Sequence, residues 1–465
     1  MSYPSPKAKD YGVNLCDGCL EKQREIDRLR QEVLALKQKL SYNQRKSTEG
    51  FFGLSTPSSK VPVKANSLEE NQEKKGGARV GHKGVGRKVF SRHQADEIRL
   101  AESQESECEE CLCPLVVDKN DVRSVYDLQR LQVRKIAYEV ERKHCPKCRK
   151  RYRGRVENAL ERSSLSNDLV VEVAHKHYGC GNSLGQIAGE LGINHSTLLE
   201  SLKRVGKKLE PGLEKLKADY RLDEVRHADE TPWRTDGGNG YSWYFGSPRV
   251  SLHLFRQTRS ATVVKEVFGS SALEGCLVVD RYSGYHRVPC RMQYCYAHLL
   301  RDLKGLEEEF LNDEEVKNYT QAMKIHLIDA MQLRKRDLSD EEYYLKAAEI
   351  KAQIIKLSEA PAKHLGVRKW QDFYVEKAAR LYQWSADRRI PAENNYAERE
   401  IRKTVIARKI SYGSQSEKGA KTREIWTSVL ESLKKREADP REKLVSALNK
   451  LNDDNELNLA QELFG

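Results

Sequence analysis

Long apolar runs are missing from this chain. No stretch approaches the ~20 residues that span a bilayer, and mean hydropathy is −0.74. The opening Met1 to Asp10 has no apolar signal-peptide core. Membrane and secreted classes are therefore set aside, and a cytoplasmic location is expected. Hydrophobic residues make up only 38% of the chain, yet 5 Trp, 21 Tyr and 9 Phe are enough to build cores. Acids are in deficit: 69 Asp and Glu against 82 Lys and Arg leave a net charge of +13. That excess suits a polyanionic partner, of which nucleic acid is the commonest, and reads equally as mere cationic solubility. Cysteine is not scarce, but its count of 11 is odd and no secretion signal accompanies it. Reduced thiols and metal ligands are thus favoured over a disulfide framework. A length of 465 residues, at roughly 150 per domain, gives about three domains.

Along the chain the pattern changes several times. Ile26, Leu29, Val33, Leu36 and Leu40 recur at alternating threes and fours, predicting a helix over 18–42. Its seam serves equally as a short coiled coil or as a face packed on its own chain. Residues 43–104 carry little apolar periodicity and read as a linker. Within them the run 74–88 (KKGGARVGHKGVGRK) holds six basic residues and no acid, which suits either a flexible arm on phosphates or a solvated spacer. Cys108-x-x-Cys111 and Cys145-x-x-Cys148 follow in 105–153, with 122–126 and 131–138 read as short strands between them. Two such knuckles flanking a small sheet offer four thiolates for tetrahedral structural zinc. Cys113 is left as a spare, and Cys16-x-x-Cys19 as an incidental pair. Residues 165–212 read as helices: Leu184, Ile187, Ala188 and Leu191 share a face, Gly192 breaks it, and Ser196 is the expected cap of a second helix. The pair fits a helix-turn-helix presenting His195, Thr197, Lys203 and Arg204 to DNA, or a plain helical hairpin.

From Arg221 the chain turns to β-structure. The runs 225–229, 241–245 and 250–255 form a meander, a helix covers 260–268, and Cys276 to Val279 make an unalternating strand of the kind buried on both faces. Asp229 and Asp280 each end an apolar run. If the first strand neighbours the fourth, both carboxylates emerge at one sheet edge, where a helix bearing Glu398 can cross. Three acids so placed are a hard oxygen set for Mg²⁺, and paired ions of that kind promote in-line phosphoryl displacement without a serine or cysteine nucleophile. Each acid alone also reads as a solvated charge, and Glu398 as the partner of Arg402 one turn on. Cys290, Cys295 and His298 suggest a further metal site, but a buried strand is favoured there.

Four segments then become recognisable: "HADETPW" at 227–233, "VVDRYSGY" at 278–285, "YCYAHLLRDL" at 294–303 and "ENNYAEREIRKTVIARK" at 393–409. Together with "GFFGLSTPSSK" at 50–60, "GARVGHKGVGR" at 77–87 and the paired CxxC element, they resemble transposases of the insertion sequence 66 family, in the expected order from about 20 to about 435. The chain departs from the pattern at Lys403, where Pro is common, and at Glu393, where Asp is. The resemblance implies an α/β fold: an RNase H-like mixed-sheet catalytic core over 221–412, with a helical insertion at about 305–390. The coiled coil, zinc ribbon and helix-turn-helix-like domain precede this core, and a helical tail at 413–465 follows it. By motif it implies Asp229, Asp280 and Glu398 as a catalytic triad holding Mg²⁺ (or Mn²⁺), with Zn²⁺ at Cys108, Cys111, Cys145 and Cys148. Arg402, Arg408 and Lys409, with Lys203 and Arg204, are the expected DNA contacts, while Asn394 and Asn395 shape the start of the Glu398 helix. The implied reaction is hydrolytic nicking at element ends followed by transfer of the 3′-hydroxyl to target DNA. The expected partners are DNA, further copies of the chain and small accessory proteins, in the nucleoid. A silent DNA-binding regulator and an RNase H-like nuclease without strand transfer are the alternatives.

Overall fold

The computed structural model describes residues 163–465 throughout, with 133–144, Pro146, Arg151–Arg153, Val156, 158–161 and a few positions nearer the start. The chain divides into two compact units, one of 1–67 with 138–465 and one of 68–137. In the smaller unit the described residues are His93 and 133–137. The four zinc-candidate cysteines lie outside the described residues, as do nearly all of 43–104 and most of 18–42, where Glu25, Ile26, Arg28 and Leu29 are helical and exposed. The strand expected at 131–138 is corrected: its described part, 133–138, is not a strand, and Ile136 and Tyr138 are exposed. The strands fall later, at β1 (Arg142–His144) and β2 (Arg151–Arg153). They pair antiparallel with His144 opposite Arg151, so they bracket the second CxxC.

Helix α1 (Asn167–Ala174) is capped by Ser166 and runs into a π-turn, His175–Gly179. Helix α2 (Leu184–Leu191) opens on a capping box between Ser183 and Gln186 and closes on Gly192 at φ 65°, a conformation that glycine adopts without strain. Helix α3 (His195–Leu209) starts two residues earlier than expected, because Asn194 is its cap and accepts from the Ser196 N–H at 2.8 Å. Its buried stripe is Leu198, Leu202, Val205 and Leu209. Helix α4 (Pro211–Leu222) leads into the sheet.

The five-stranded sheet comprises β3 (Val225–Thr235), β4 (Gly238–Gly246), β5 (Ser251–Arg256), β6 (Cys276–Val279) and β7 (Arg291–Tyr294), in spatial order β5-β4-β3-β6-β7. The first three are an antiparallel meander, while β6 runs parallel to β3 and β7 parallel to β6. This mixed α/β arrangement is compatible with an RNase H-like core. Strand β3 is longer than its apolar run, since the tight turn Asp236-Gly237, at φ 50° and 73°, carries the hairpin past Thr235. Two positive φ values in succession match the primed turns that follow strand twist. Helix α5 (Ala261–Phe268), capped by Ser260, supplies Phe268 to a core cluster with Tyr220, Trp243, Phe245 and Tyr285 on one face.

Between β7 and the helix of Glu398 come α6 (Tyr296–Glu309), α7 (Glu314–Leu333), α8 (Asp340–Glu359), α9 (Leu365–Glu376) and the short α10 (Gln383–Ala386). The α7 stripe Val316, Tyr319, Met323, Leu327 and Ala330 is buried as its period requires. Helix α11 (Asn395–Ser411) then lies over β3 and β4 on the second face, where Tyr244, Ala397 and Ile401 pack. Helices α12 (Glu417–Arg436), α13 (Pro440–Asp453) and α14 (Leu459–Phe464) complete the chain.

Strand β5 has no neighbour on its outer side, and α12 takes that place. The N–H groups of Ser251, His253 and Phe255 donate to Ser432 Oγ (2.9 Å), Ser428 Oγ (2.9 Å) and Glu424 Oε2 (3.1 Å). Those acceptors recur every four residues, on one helix face, matching alternate residues of the strand. This explains two serines in a buried helix interior, where they would otherwise weaken it.

Candidate active site

Strand β3 pairs with β6 through His227 and Val278. Asp229 comes two residues later on β3, and Asp280 two residues later on the other chain segment, just past the end of β6; they are 2% and 4% exposed. Asp229 lies opposite Tyr244 of β4, on the face that α11 covers. The sequence places Asp229 at the end of its strand; the structure corrects this, because β3 continues to Thr235 alongside β4. Asp229 Oδ1 accepts from the Glu230 N–H, and Asp280 Oδ1 from the Tyr282 N–H, each at 2.9 Å. Burial, reinforced by the nearby Glu230 carboxylate, pushes the Asp280 carboxyl up to about 7, against the pull of the Tyr282 N–H, Arg259 and Arg281. A carboxyl raised by burial and by a neighbouring acid is a common feature of functional sites.

Glu230 escaped the sequence reading. It is fully buried and turns to the opposite face, where Arg259 Nε donates to it at 2.9 Å and the Tyr285 hydroxyl also donates. Arg259 in turn stacks on the Tyr282 ring, with Cζ 3.9 Å from its centre. Only the alternation of β3 separates the roles of these adjacent acids, and which face is which cannot be read from "ADE" alone.

Glu398 sits in the first turn of α11, 8% exposed. Asn394 fixes that turn against β3: its Nδ2 donates to the Ala228 carbonyl at 2.8 Å, its Oδ1 meets His227 Nδ1 at 2.9 Å, and its N–H reaches Cys295 Sγ at 3.1 Å. Asn394→Ala is expected to leave the buried Ala228 carbonyl and His227 without partners. The cost should be about 2 kcal/mol, read as a lower urea midpoint at unchanged slope; an unchanged midpoint would reject this role.

Glu398 does not pair with Arg402 as the helical spacing suggests. Arg301 Nη2 of α6 reaches both of its oxygens, at 3.3 and 3.4 Å, and His298 Nδ1 stands 3.9 Å from Oε1. Burial raises the Glu398 carboxyl against the pull of Arg301 and Arg402. Burial, with Arg301 and Arg281, holds the His298 imidazole well below its ordinary range, and burial pushes the Cys295 thiol up to about 12. Ligand atoms of Cys295, His298 and Glu398 lie within 4.8 Å of one another, the group of that kind found among the described residues. The structure therefore puts Asp229 on β3 and Asp280 just after the adjoining parallel strand β6, and Glu398 on the helix that packs over β3 and β4, grouped with Cys295 and His298. The buried strand expected around Cys290 to His298 is Arg291–Tyr294, and Cys295 and His298 begin the helix beyond it.

The expected DNA contacts divide. Arg402 and Lys409 are exposed on α11. Arg408 is half-buried and donates to Thr231 Oγ1 at 3.1 Å and to the Pro232 carbonyl, so it ties α11 to β3. Lys203 pairs with Glu200 at 2.6 Å on α3, and Arg204 is half-buried beside it.

A mixed sheet with buried acids on adjoining parallel strands, crossed by a basic helix, has the layout of a nucleic-acid-processing enzyme. The sequence profile of the transposase IS66 family matches residues 163–422, and the chain belongs to that family. No curated protein matches the chain. Membership carries a transposase-type activity, DNA as partner and a divalent metal requirement. Among the described residues no helix is long and apolar enough to cross a membrane.

Proposed function

We propose that this protein is a DDE transposase with an RNase H-like core, in which Asp229, Asp280 and Glu398 hold Mg²⁺ or Mn²⁺. The donor set fits such an ion. It offers hard carboxylate oxygens, and the Asp280 carboxyl, pushed up by burial and by Glu230, is one that a cation would return to its charged form. When bound, the metal supplies charge stabilisation and activates the attacking oxygen. The chain's own part is to position. Strand β3 and the exit of β6 present the two aspartates, Asn394 pins the helix of the third acid, and Arg402 and Lys409 face the DNA backbone. Arg301 occupies Glu398 in the free protein and would give way when metal and DNA enter.

The observation that supports this reading is the parallel pairing of β3 with β6, whose last pair, His227 with Val278, comes two residues before each of the two acids. Its reaction is nicking of element ends by water, then attack of the freed 3′-hydroxyl on target DNA. A zinc ribbon at 105–153, a helix-turn-helix over α2 and α3, and self-association, with or without accessory proteins, would deliver and join the ends. Labelled element ends incubated with the full chain and Mg²⁺ are expected to yield joined products. Cut ends alone would instead make it a nuclease, and a mobility shift with neither product a regulator.

A further inference from the structure

Other arginines of the core find a counter-charge or carbonyls; Arg423 finds neither among the described residues. It lies on α12 at 8% exposure. Its recorded contacts are a neutral imidazole, His177 Nε2 at 3.2 Å, and the rings of Tyr178 and Trp233, with Cζ 5.1 and 5.4 Å from their centres. Arg259 by contrast pairs with Glu230, Arg281 with Asp302, and Arg226 donates to the carbonyls of Arg221 and Glu274. A guanidinium buried without an anion is unfavourable unless something supplies one, and Arg is the side chain whose fork fits phosphate.

Arg423 lines a narrow cleft between α11, α12 and the sheet face bearing Trp233 and His253. Two more polar groups in that cleft lack partners. Both ring nitrogens of His253 and the Thr427 hydroxyl are buried and make no hydrogen bond. Burial holds His253 down at about 3, so its ring is neutral and keeps one N–H to donate. The one acid lining the cleft, Glu431, is already engaged by Lys403 at 2.6 Å and Lys434 at 2.7 Å. Unused donors therefore outnumber unused acceptors.

We propose that this cleft is a phosphate site, in which Arg423, Thr427 and His253 donate to the oxygens of a single phosphoryl group while Tyr178 and Trp233 hold the guanidinium in place. Trp233 is four residues beyond Asp229 on the same face of β3, about 13 Å at strand rise. On the transposase reading, the phosphate would belong to a DNA backbone approaching the outer side of α11 and α12, since α11 itself covers this face of β3. The site's chemistry does not depend on that reading, since free phosphate presents the same oxygens.

The test uses the full chain in two arms. In the first, inorganic phosphate is titrated at constant ionic strength, following melting temperature and tryptophan emission. The wild type is expected to respond saturably, and Arg423→Gln to lose the response. Thr427→Val, which keeps the side-chain shape and removes only the unpartnered hydroxyl, should weaken it at least threefold without lowering the phosphate-free melting temperature. In the second, affinity for a random-sequence duplex is measured against salt. If the occupant is the DNA backbone, Arg423→Gln reduces the slope of log affinity on log salt by about 0.9; an unchanged slope with a lost phosphate response assigns the cleft to free phosphate. No response in the wild type, with an unchanged slope in Arg423→Gln, overturns the proposal and leaves Arg423 a stacked brace. Neither arm reads strand cleavage, so failure here leaves the triad assignment standing.

Discussion

Asp280→Ala is expected to reduce cleavage of element ends by about 10³-fold or more, since a metal's stabilisation of developing charge is worth several kcal/mol. DNA binding should stay intact or tighten, because a carboxylate that repels phosphate is gone. The same substitution removes a buried acid that Glu230 already opposes, so the metal-free protein should melt no lower than wild type. Gel-based cleavage with and without Mg²⁺, a filter-binding titration and a thermal scan read the three effects separately. A folded variant that cuts at the wild-type rate would remove Asp280 from the mechanism.

The second large effect concerns stability. Arg259 and Glu230 form an ion pair with side chains 9% and 0% exposed. Replacing such a pair by apolar groups is often tolerated, whereas removing one partner strands the other charge. Arg259→Met is therefore expected to cost about 3–5 kcal/mol in urea unfolding, and adding Glu230→Leu should restore much of it. A loss below about 1 kcal/mol would mean that the Tyr285 hydroxyl alone suffices for Glu230, and that the pair does not organise the floor of the site. The pair matters for function because Glu230 is the charge that most opposes ionisation of Asp280 after burial itself.

Much of this architecture was legible in one sequence, for definite reasons. Strand β6 was read to the residue because four consecutive apolar side chains have no other economical arrangement between Gly275 and Asp280. The α7 stripe followed from its period. The neighbourhood of β3 and β6 enters the sequence reading only as a supposition that would unite two acids; that the strands run parallel is a finding of the structure. Elements governed by short-range polar chemistry were harder. Asn194 and Ser196 are both good caps, and only the backbone at Asn194 decided between them. The hairpin extension to Thr235 rests on Asp236-Gly237, a turn signal present in the sequence but overlooked beside the polar run that follows. Long-range polar partners were beyond reach: nothing local says that Arg408 reaches back to Thr231, that Arg301 rather than Arg402 meets Glu398, or that Asn394 bridges to Ala228. Such bonds depend on where helices dock, which a periodicity does not contain.

The row Glu424, Ser428 and Ser432 has a consequence for how copies of the chain can meet. With the amides of Ser251, His253 and Phe255 already spoken for, that margin presents no template on which an extended segment from another molecule can zip. Those three amide protons should exchange with solvent as slowly as interior ones. Sheet extension across β5 is thereby closed to any second copy of the chain.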